Sequence, residues 1–171
     1  AEIARVPIGA AGAHRVPMLD DLLEAFPDAR VNIDPKSDEA ATLLPERLWA
    51  HRALDRVCVG SFSDTRLDRL RAQLGPGLCT SMGPRDVTRL KLRSWGLPLP
   101  APRGAAAQVP VRTRGVRIVT HRFVAASARQ GVPVHVWTID DADEMHRLLD
   151  LGVTGLMTDR PSVLKAVLEA R

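Results

Sequence analysis

The stretch Val31-Asn32-Ile33-Asp34-Pro35-Lys36 alternates apolar and polar side chains and ends in two opposite charges. Side chains at positions i and i+2 of an extended chain project to the same face, so Asn32, Asp34 and Lys36 share one face of a predicted strand. A carboxylate and an ammonium at the end of a half-apolar strand are typical of a functional site. A surface salt bridge at the start of a loop is the alternative interpretation.

Outward from this stretch, a strand and a helix alternate about six times. Apolar runs predict strands over 31–36, 56–61, 78–81, 107–111, 132–139 and 153–158, with helical patterns between them. Apolar strands joined by helices indicate a parallel sheet that helices cover, either a doubly wound sheet or a (β/α)₈ barrel. No glycine-rich phosphate-binding motif follows any of these strands, which argues against a nucleotide-binding doubly wound sheet.

Length and composition indicate one ordinary domain over residues 1–171, with 45% hydrophobic and 26% charged residues. No apolar run approaches the roughly 18 residues that span a bilayer, so we expect no stable membrane span and a cytoplasmic location. The net charge is +4, but arginines are scattered and aromatics make up 4%, which argues against nucleic acid as a partner. A mild positive field suits a small anionic substrate. Cys58 and Cys79 are predicted to be reduced core thiols.

Four segments, in this order, resemble the glycerophosphodiester phosphodiesterases, a family with a (β/α)₈ barrel. The segments are Val16–Leu23, Asn32–Lys36, Val136–Asp140 and Gly152–Pro161. Ser61-Phe62-Ser63 also resembles the Ser-Phe of that family after the next strand. The resemblance runs from about residue 16 to the end of the sequence.

The sequence also departs from the family pattern. The family's first strand ends in His-Arg-Gly, its second carries Glu-x-Asp, and a second catalytic histidine follows; none of these motifs is present. His14-Arg15 directly precedes the Val16 segment and lacks the glycine, so we interpret it as loop. The resemblance therefore implies strands three to eight of an incomplete barrel. We expect the natural protein to supply the first two βα units upstream, because six strands leave two open edges; this sequence alone, with no catalytic residue of its own, is predicted to be inactive.

The resemblance implies metal-dependent hydrolysis of a glycerophosphodiester to glycerol 3-phosphate and an alcohol, with Mg²⁺ or Ca²⁺ as cofactor. Asp34 takes the position of the family's third carboxylate ligand, but aspartate is shorter than glutamate by one methylene, about 1.5 Å. Since metal–oxygen distances allow little slack, Asp34 would need a backbone shift or a bridging water. Lys36 matches the family's phosphate-side lysine, and Trp137 matches the aromatic residue against the glycerol.

Each candidate also has a purely structural interpretation. Trp137 and Phe62 could be packing residues, His135 a hydrogen-bonded interior residue, and Asp159 a helix cap. His51, His121 and His146 lie on predicted helices or caps and are predicted to be surface groups. Because active groups of such barrels sit at the carboxyl ends of strands, the preferred candidates are the following: Asp34 for metal, and Lys36, Ser61, Phe62 and Trp137 for substrate or phosphate.

Two other functions remain open at this point. A non-catalytic relative could keep the scaffold as a binding or interaction module and lack the histidine pair. A related barrel phosphodiesterase could act on phospholipids or phosphoinositides, which would require an exposed apolar rim that the sequence does not clearly indicate.

Overall fold

A computed structural model describes residues 7–8 and 14–171 of the protein. Ten strands are present in these ranges: β1 Pro7–Ile8, β2 His14–Arg15, β3 Val31–Ile33, β4 Val57–Val59, β5 Cys79–Thr80, β6 Ala107–Pro110, β7 Arg112–Thr113, β8 Val116–Arg117, β9 Val134–Trp137 and β10 Gly155–Leu156. The α-helices in the same ranges are α1 Leu19–Ala25, α2 Asp38–Ala50, α3 Asp64–Leu74, α4 Pro84–Arg93, α5 His121–Ala128, α6 Ala142–Asp150 and α7 Pro161–Glu169. A short 3₁₀ helix covers Leu54–Arg56.

Six of these strands are parallel and follow the chain order across the sheet. One group runs β3-β4-β5 and the other β6-β9-β10. A parallel bridge between Ser81 and Ala106 joins the two groups. Within residues 14–171, β3 and β10 each have a strand neighbour on one side only. The α/β alternation predicted from the sequence is thus confirmed.

The helices form because polar caps and apolar stripes coincide. The side chains of Ser37, Ser63 and Thr120 each accept a hydrogen bond from a first-turn N–H, as N-caps of α2, α3 and α5 do. In α3 the apolar face formed by Leu67, Leu70 and Leu74 is buried. Two apolar clusters result, one between β3–β5 and α1–α3 and the other between the remaining parallel strands and α4–α7.

The face of the sheet opposite the helices carries polar side chains in register. Asn32 pairs with Cys58, which pairs with Cys79, on neighbouring strands. Gln108 pairs with His135 in the second group of strands. The side-chain amides of Asn32 and Gln108 donate hydrogen bonds to each other at 3.3 and 3.2 Å. These two hydrogen bonds connect β3 to β6.

Several predicted boundaries were wrong for physical reasons. The strand predicted over 31–36 ends at Ile33, whose carbonyl accepts the last ladder bond from the Gly60 N–H at 2.8 Å. Pro35, which has no N–H, cannot continue the ladder. Pro45 lies buried inside α2, and the helix continues through it to Ala50. His14-Arg15, predicted as loop, forms β2 and pairs with β1 in antiparallel orientation.

A second antiparallel hairpin, β7–β8, was not predicted. Its two-residue turn has Arg114 at φ 46° and Gly115 at φ 81°, the backbone that two-residue hairpin turns favour. The hairpin lies directly after β6 and carries no buried residue. Among the described residues, no helix combines the length and apolar character needed to cross a membrane.

Candidate functional site

A cavity of about 1020 Å³ opens next to the carboxyl ends of the parallel strands. Strand ends position its polar wall: Asp34 and Lys36 follow β3, Ser61 and Phe62 follow β4, and Trp137 ends β9. All five residues singled out from the sequence line this one cavity. Asn32 lines it too, so the face predicted for the alternating stretch is the observed one.

Asp34 and Lys36 form an ion pair, with 2.5 Å between Oδ2 and Nζ. The lysine side chain is 78% exposed and the aspartate 32%, so the pair borders open space and the ammonium is accessible to a ligand. The Nζ atom of Lys36 also lies 5.8 Å from the centre of the Phe62 ring. Phe62 meets Trp137 edge to face at 5.8 Å. A cation and two aromatic rings therefore form one continuous wall.

Ser61 has a different environment from the other four residues. It is buried, and its Oγ accepts hydrogen bonds from the Ser63 N–H and from Nη1 of Arg66, both at 3.2 Å. Arg66 also donates to the Pro35 carbonyl at 2.9 Å and to the Asp38 carboxylate at 3.0 Å. Arg66 thereby fixes the segment between Asp34 and Lys36 to the end of β4. Sequence reasoning missed this role, because nothing in the helical pattern of α3 distinguishes Arg66 from a surface arginine.

The described residues do not by themselves fit a divalent cation. Within residues 14–171, no group of three or more histidine, cysteine, aspartate or glutamate side chains is arranged to hold a metal. Asp34 is the one carboxylate among the described residues that line the cavity, and Lys36 occupies one of its oxygens. Hard divalent cations such as Mg²⁺ and Ca²⁺ take several oxygen ligands. Asp34 could contribute one of them.

Four described histidines, His51, His121, His135 and His146, do not line the cavity. His135 sits on β9 with its ring against Gly155, where an added Cβ would lie 2.6 Å from Cδ2; burial lowers the pKa of His135. His51 was predicted to be a surface group, but its side chain is largely buried and its Nε2 lies 3.0 Å from the Asp20 carboxylate. His121 is exposed, whereas His146 is half-buried on α6.

Asp159 does not cap the last helix, which was the structural interpretation of that residue. The N-cap position belongs to Arg160. The carboxylate of Asp140 instead accepts hydrogen bonds from the Thr158 hydroxyl at 2.7 Å and the Asp159 N–H at 2.8 Å. These hydrogen bonds hold the pKa of Asp140 below its usual value. Asp140 thus orders the loop between β10 and α7.

The cavity is also lined by a lysine that the sequence did not single out. Lys91 of α4 is 8% exposed and donates from Nζ to the carbonyls of Arg117 at 2.9 Å and Ile118 at 3.1 Å. Trp95 lies 5.6 Å from this ammonium. Burial lowers the pKa of Lys91. In the sequence, Lys91 has the position of a polar-face residue of an amphipathic helix. It is buried in the structure because the backbone at Arg117 and Ile118 packs over it.

Known proteins resemble this chain in sequence. The sequence profile described as the glycerophosphoryl diester phosphodiesterase family matches residues 5–163. A Mycobacterium tuberculosis protein named probable glycerophosphodiester phosphodiesterase 2 is 35% identical over 180 residues, which cover 99% of this chain and 66% of that protein. A glycerophosphodiester phosphodiesterase of Bacillus subtilis is 28% identical, over 90% of this chain and 54% of its own length.

A solved structure shares the fold. A phosphodiesterase from Oleispira antarctica, solved in complex with the product sn-glycerol-3-phosphate, superposes with a TM-score of 0.70 at 17% identity. The match covers 91% of this chain and 62% of that one. The fold is therefore α/β of the TIM-barrel type.

The chain belongs to the glycerophosphoryl diester phosphodiesterase family. The resemblance drawn from the four sequence segments is thereby confirmed. The chain spans between about half and two thirds of the length of the two curated relatives named above.

Proposed function

We propose that this chain provides the substrate-binding wall of a glycerophosphodiester phosphodiesterase, which hydrolyses a glycerophosphodiester to glycerol 3-phosphate and an alcohol. The observation that carries the proposal is the continuous wall of Lys36, Phe62 and Trp137 beside Asp34 in a member of this family. The overall reaction adds water across the bond between phosphorus and the alcohol oxygen. The alcohol leaves with a proton, and the phosphate stays on glycerol.

The residues of the wall have separate tasks in this proposal. The Lys36 ammonium binds the phosphate oxygens and stabilises the negative charge that grows on them in the transition state. The aromatic rings of Phe62 and Trp137 pack against the carbon skeleton of the glycerol. Ser61 and Arg66 hold the Lys36 segment in place, because their hydrogen bonds connect it to the end of β4.

Further groups are required, and we propose that they come from two additional βα units of the natural protein. The general acid and base of the family and two of its metal carboxylates have no counterpart among the residues that the sequence motifs match. The free edges of β3 and β10 support this proposal, since closure of an eight-stranded barrel needs partners for both.

We further propose that Asp34 contributes one oxygen ligand to a divalent cation, Mg²⁺ or Ca²⁺, whose other ligands lie outside the described residues. The cation would supply positive charge to the phosphate oxygens. To bind the cation, at least one carboxylate oxygen of Asp34 would have to contact the cation in place of Lys36.

The direct test is release of glycerol 3-phosphate from glycerophosphocholine by the full-length natural protein, with Mg²⁺, with Ca²⁺ and with chelator. We expect release with at least one cation and none with chelator. No release under any of these conditions would instead favour a non-catalytic relative that binds glycerophosphodiesters.

Variants of the wall sharpen this test. Lys36→Met should lower kcat/KM by about 10²-fold or more, since it removes a charge that acts in the transition state. The control is Lys165→Met on α7, an exposed lysine that pairs only with Glu169 at 3.6 Å among the described residues and does not line the cavity. A similar loss in both variants would contradict the role proposed for Lys36.

Asp34 offers a second comparison. Asp34→Asn should weaken the apparent affinity for the cation, because an amide oxygen carries no net charge. Asp34→Glu restores the longer carboxylate that the family resemblance implies, so it should retain or strengthen the apparent affinity for the cation. Activity that tolerates Asn as well as Glu would exclude Asp34 as a ligand.

One observation favours the lipid-directed alternative as a second candidate. Three large apolar side chains at the cavity are exposed, Phe62 by 67%, Trp95 by 56% and Val116 by 53%. They form the apolar rim that the sequence alone did not indicate. Faster hydrolysis of lysophosphatidylcholine than of glycerophosphocholine would support this candidate, and the reverse preference would reject it.

A further inference from the structure

The charges on the cavity wall are unevenly distributed. Four charged side chains line the cavity, namely Asp34, Lys36, Lys91 and Arg114. The first two neutralise each other. Lys91 and Arg114 form no ion pair with any described residue, and Asp34 is the one carboxylate among the described residues of the lining. The described lining therefore carries two positive charges that no described carboxylate compensates.

Lys91 is the more informative of the two cations because it is 92% buried. An ammonium group has three N–H donors, and the carbonyls of Arg117 and Ile118 account for two of them. The third donor has no acceptor among the described residues, and the side chain lines the cavity. The rings of Trp95 and Phe123 approach Nζ to 5.6 and 5.9 Å, which offsets part of the cost of burial.

A purely structural role explains only part of this arrangement. Lys91 connects α4 to the backbone that follows β8, and this tether uses two of its donors. Burying an unpaired charge is costly, and a tether alone would not need a full charge beside a cavity. A ligand that supplies a negative charge at this position would satisfy the third donor and compensate for the burial.

We propose that Lys91, Trp95 and Arg114 form a subsite, the Lys91 subsite, for an anionic group on the alcohol portion of the substrate. This rests on the proposed function, in which the glycerol phosphate lies against Lys36, Phe62 and Trp137. The anionic group is a carboxylate or a phosphate. The exposed Arg114, at the tip of the β7–β8 hairpin, supplies a second cation at the cavity wall.

Two diesters that differ by one carboxylate test the proposal. Glycerophosphoserine has a carboxylate on its alcohol portion, whereas glycerophosphoethanolamine does not. The full-length natural protein should have a higher kcat/KM for glycerophosphoserine. Lys91→Met, which keeps an apolar chain of similar length, should reduce the ratio of the two kcat/KM values by about tenfold or more, the loss expected for one charge-assisted hydrogen bond. Lys91→Arg should restore part of the ratio.

Other variants separate this role from folding. Arg114 is exposed, so Arg114→Gln leaves the core intact. It should reduce the ratio of the kcat/KM values for glycerophosphoserine and glycerophosphoethanolamine by about threefold, because the charge that it removes is partly solvated. Lys165→Met should leave the ratio unchanged. Thermal unfolding of Lys91→Met shows whether the tether is lost as well.

Binding provides a readout that does not depend on turnover. With chelator present, where we expect no hydrolysis, titration calorimetry should show tighter binding of glycerophosphoserine than of glycerophosphoethanolamine, and Lys91→Met should reduce the difference. If neither diester is hydrolysed but this difference is found, the proposed function fails and the subsite stands. If both are hydrolysed without discrimination, or if no variant changes the ratio, the subsite is overturned and the proposed function stands. Equal binding of the two compounds by the unmodified protein also overturns it.

Discussion

Arg66 illustrates how one side chain can determine the position of another. Its guanidinium contacts the Pro35 carbonyl, the Ser61 hydroxyl and the Asp38 carboxylate, and its side chain is 15% exposed. The segment that carries Asp34 and Lys36 has left the strand ladder at Ile33, so these hydrogen bonds replace the ladder. The charged pair is therefore held by a residue of the next βα unit.

Replacing Arg66 should therefore affect the site more than the fold. Arg66→Leu should lower kcat/KM by about tenfold or more and stability by roughly 1–3 kcal/mol, the cost of leaving a buried acceptor unpaired. Arg66→Lys keeps the positive charge but not the planar fork of donors, so its kcat/KM and stability should lie between those of the unmodified protein and Arg66→Leu. Steady-state kinetics and urea unfolding measure the two effects; Arg69→Leu on the same helix, exposed and outside the cavity, is the control. Unchanged kinetics in Arg66→Leu would show that Arg66 does not position Lys36.

The thiol of Cys58 is a second feature at this scale. Burial, together with a hydrogen bond to Cys79, raises the pKa of Cys58 from its ordinary value of 9.0 to about 12. The folded protein retains this proton while the unfolded chain releases it. The contribution of Cys58 to stability is thus complete below pH 9.0 and is lost as the pH rises toward about 12.

Alkylation by iodoacetamide should reveal this shift. The thiolate is the reacting species, so the rate at Cys58, followed by mass spectrometry of its peptide, should keep rising above the pH at which an ordinary thiol levels off. The rate for the same peptide in denaturant should reach half of its maximum near pH 9.0 and level off above it. A folded protein whose Cys58 rate levels off at the same pH as in denaturant would contradict the raised pKa.

At the scale of elements, the sequence predicts the alternation of strands and helices but not the β7–β8 hairpin. The apolar periodicity of α3 and the caps at Ser63 and Thr120 are local signals, and local signals can be read from the sequence. The hairpin has no buried side chain and therefore no apolar pattern. The Asn32–Gln108 pair joins residues 76 positions apart, and Lys91 is buried only by tertiary packing, so neither has a sequence signal.

The turn of this hairpin can be tested by its glycine. Gly115 has φ 81°, where a side chain is strained although no atom lies within 4 Å of an added Cβ. Gly115→Ala should lower the free energy of unfolding by about 1 kcal/mol through backbone strain alone. Gly77→Ala also meets open space, without a left-handed φ, and should be neutral or slightly stabilising. Equal effects of the two substitutions in denaturant unfolding would contradict this explanation.

At the scale of the whole molecule, the sheet has two free edges in the part of the chain that the structure describes. β3 and β10 each leave one row of backbone N–H and carbonyl groups without a strand partner there. Unpaired edges promote association with other strands. Open edges are what the sequence analysis expects, since it places the family resemblance at strands three to eight of a barrel, and that placement stays a prediction.

The 171-residue chain produced alone should therefore self-associate. We expect light scattering coupled to size-exclusion chromatography to show an average mass that rises with protein concentration. Full-length natural protein, in which we propose that two further units cover the edges, is the control and should show no such rise. A concentration-independent monomer of the short chain would contradict the idea that the edges of β3 and β10 are available.

The bridge between Ser81 and Ala106 is the backbone pairing that joins the two groups of parallel strands. The β3–β5 and β6–β10 sides have separate apolar clusters, and Gly104 must pass so close to Met82 that an added Cβ would lie 2.8 Å from its backbone nitrogen. Amide protons on the two sides should consequently exchange with heavy water as two cooperative blocks of unequal lifetime. Any residue larger than glycine at position 104 would push the two sides apart and shorten the lifetime of the less protected block.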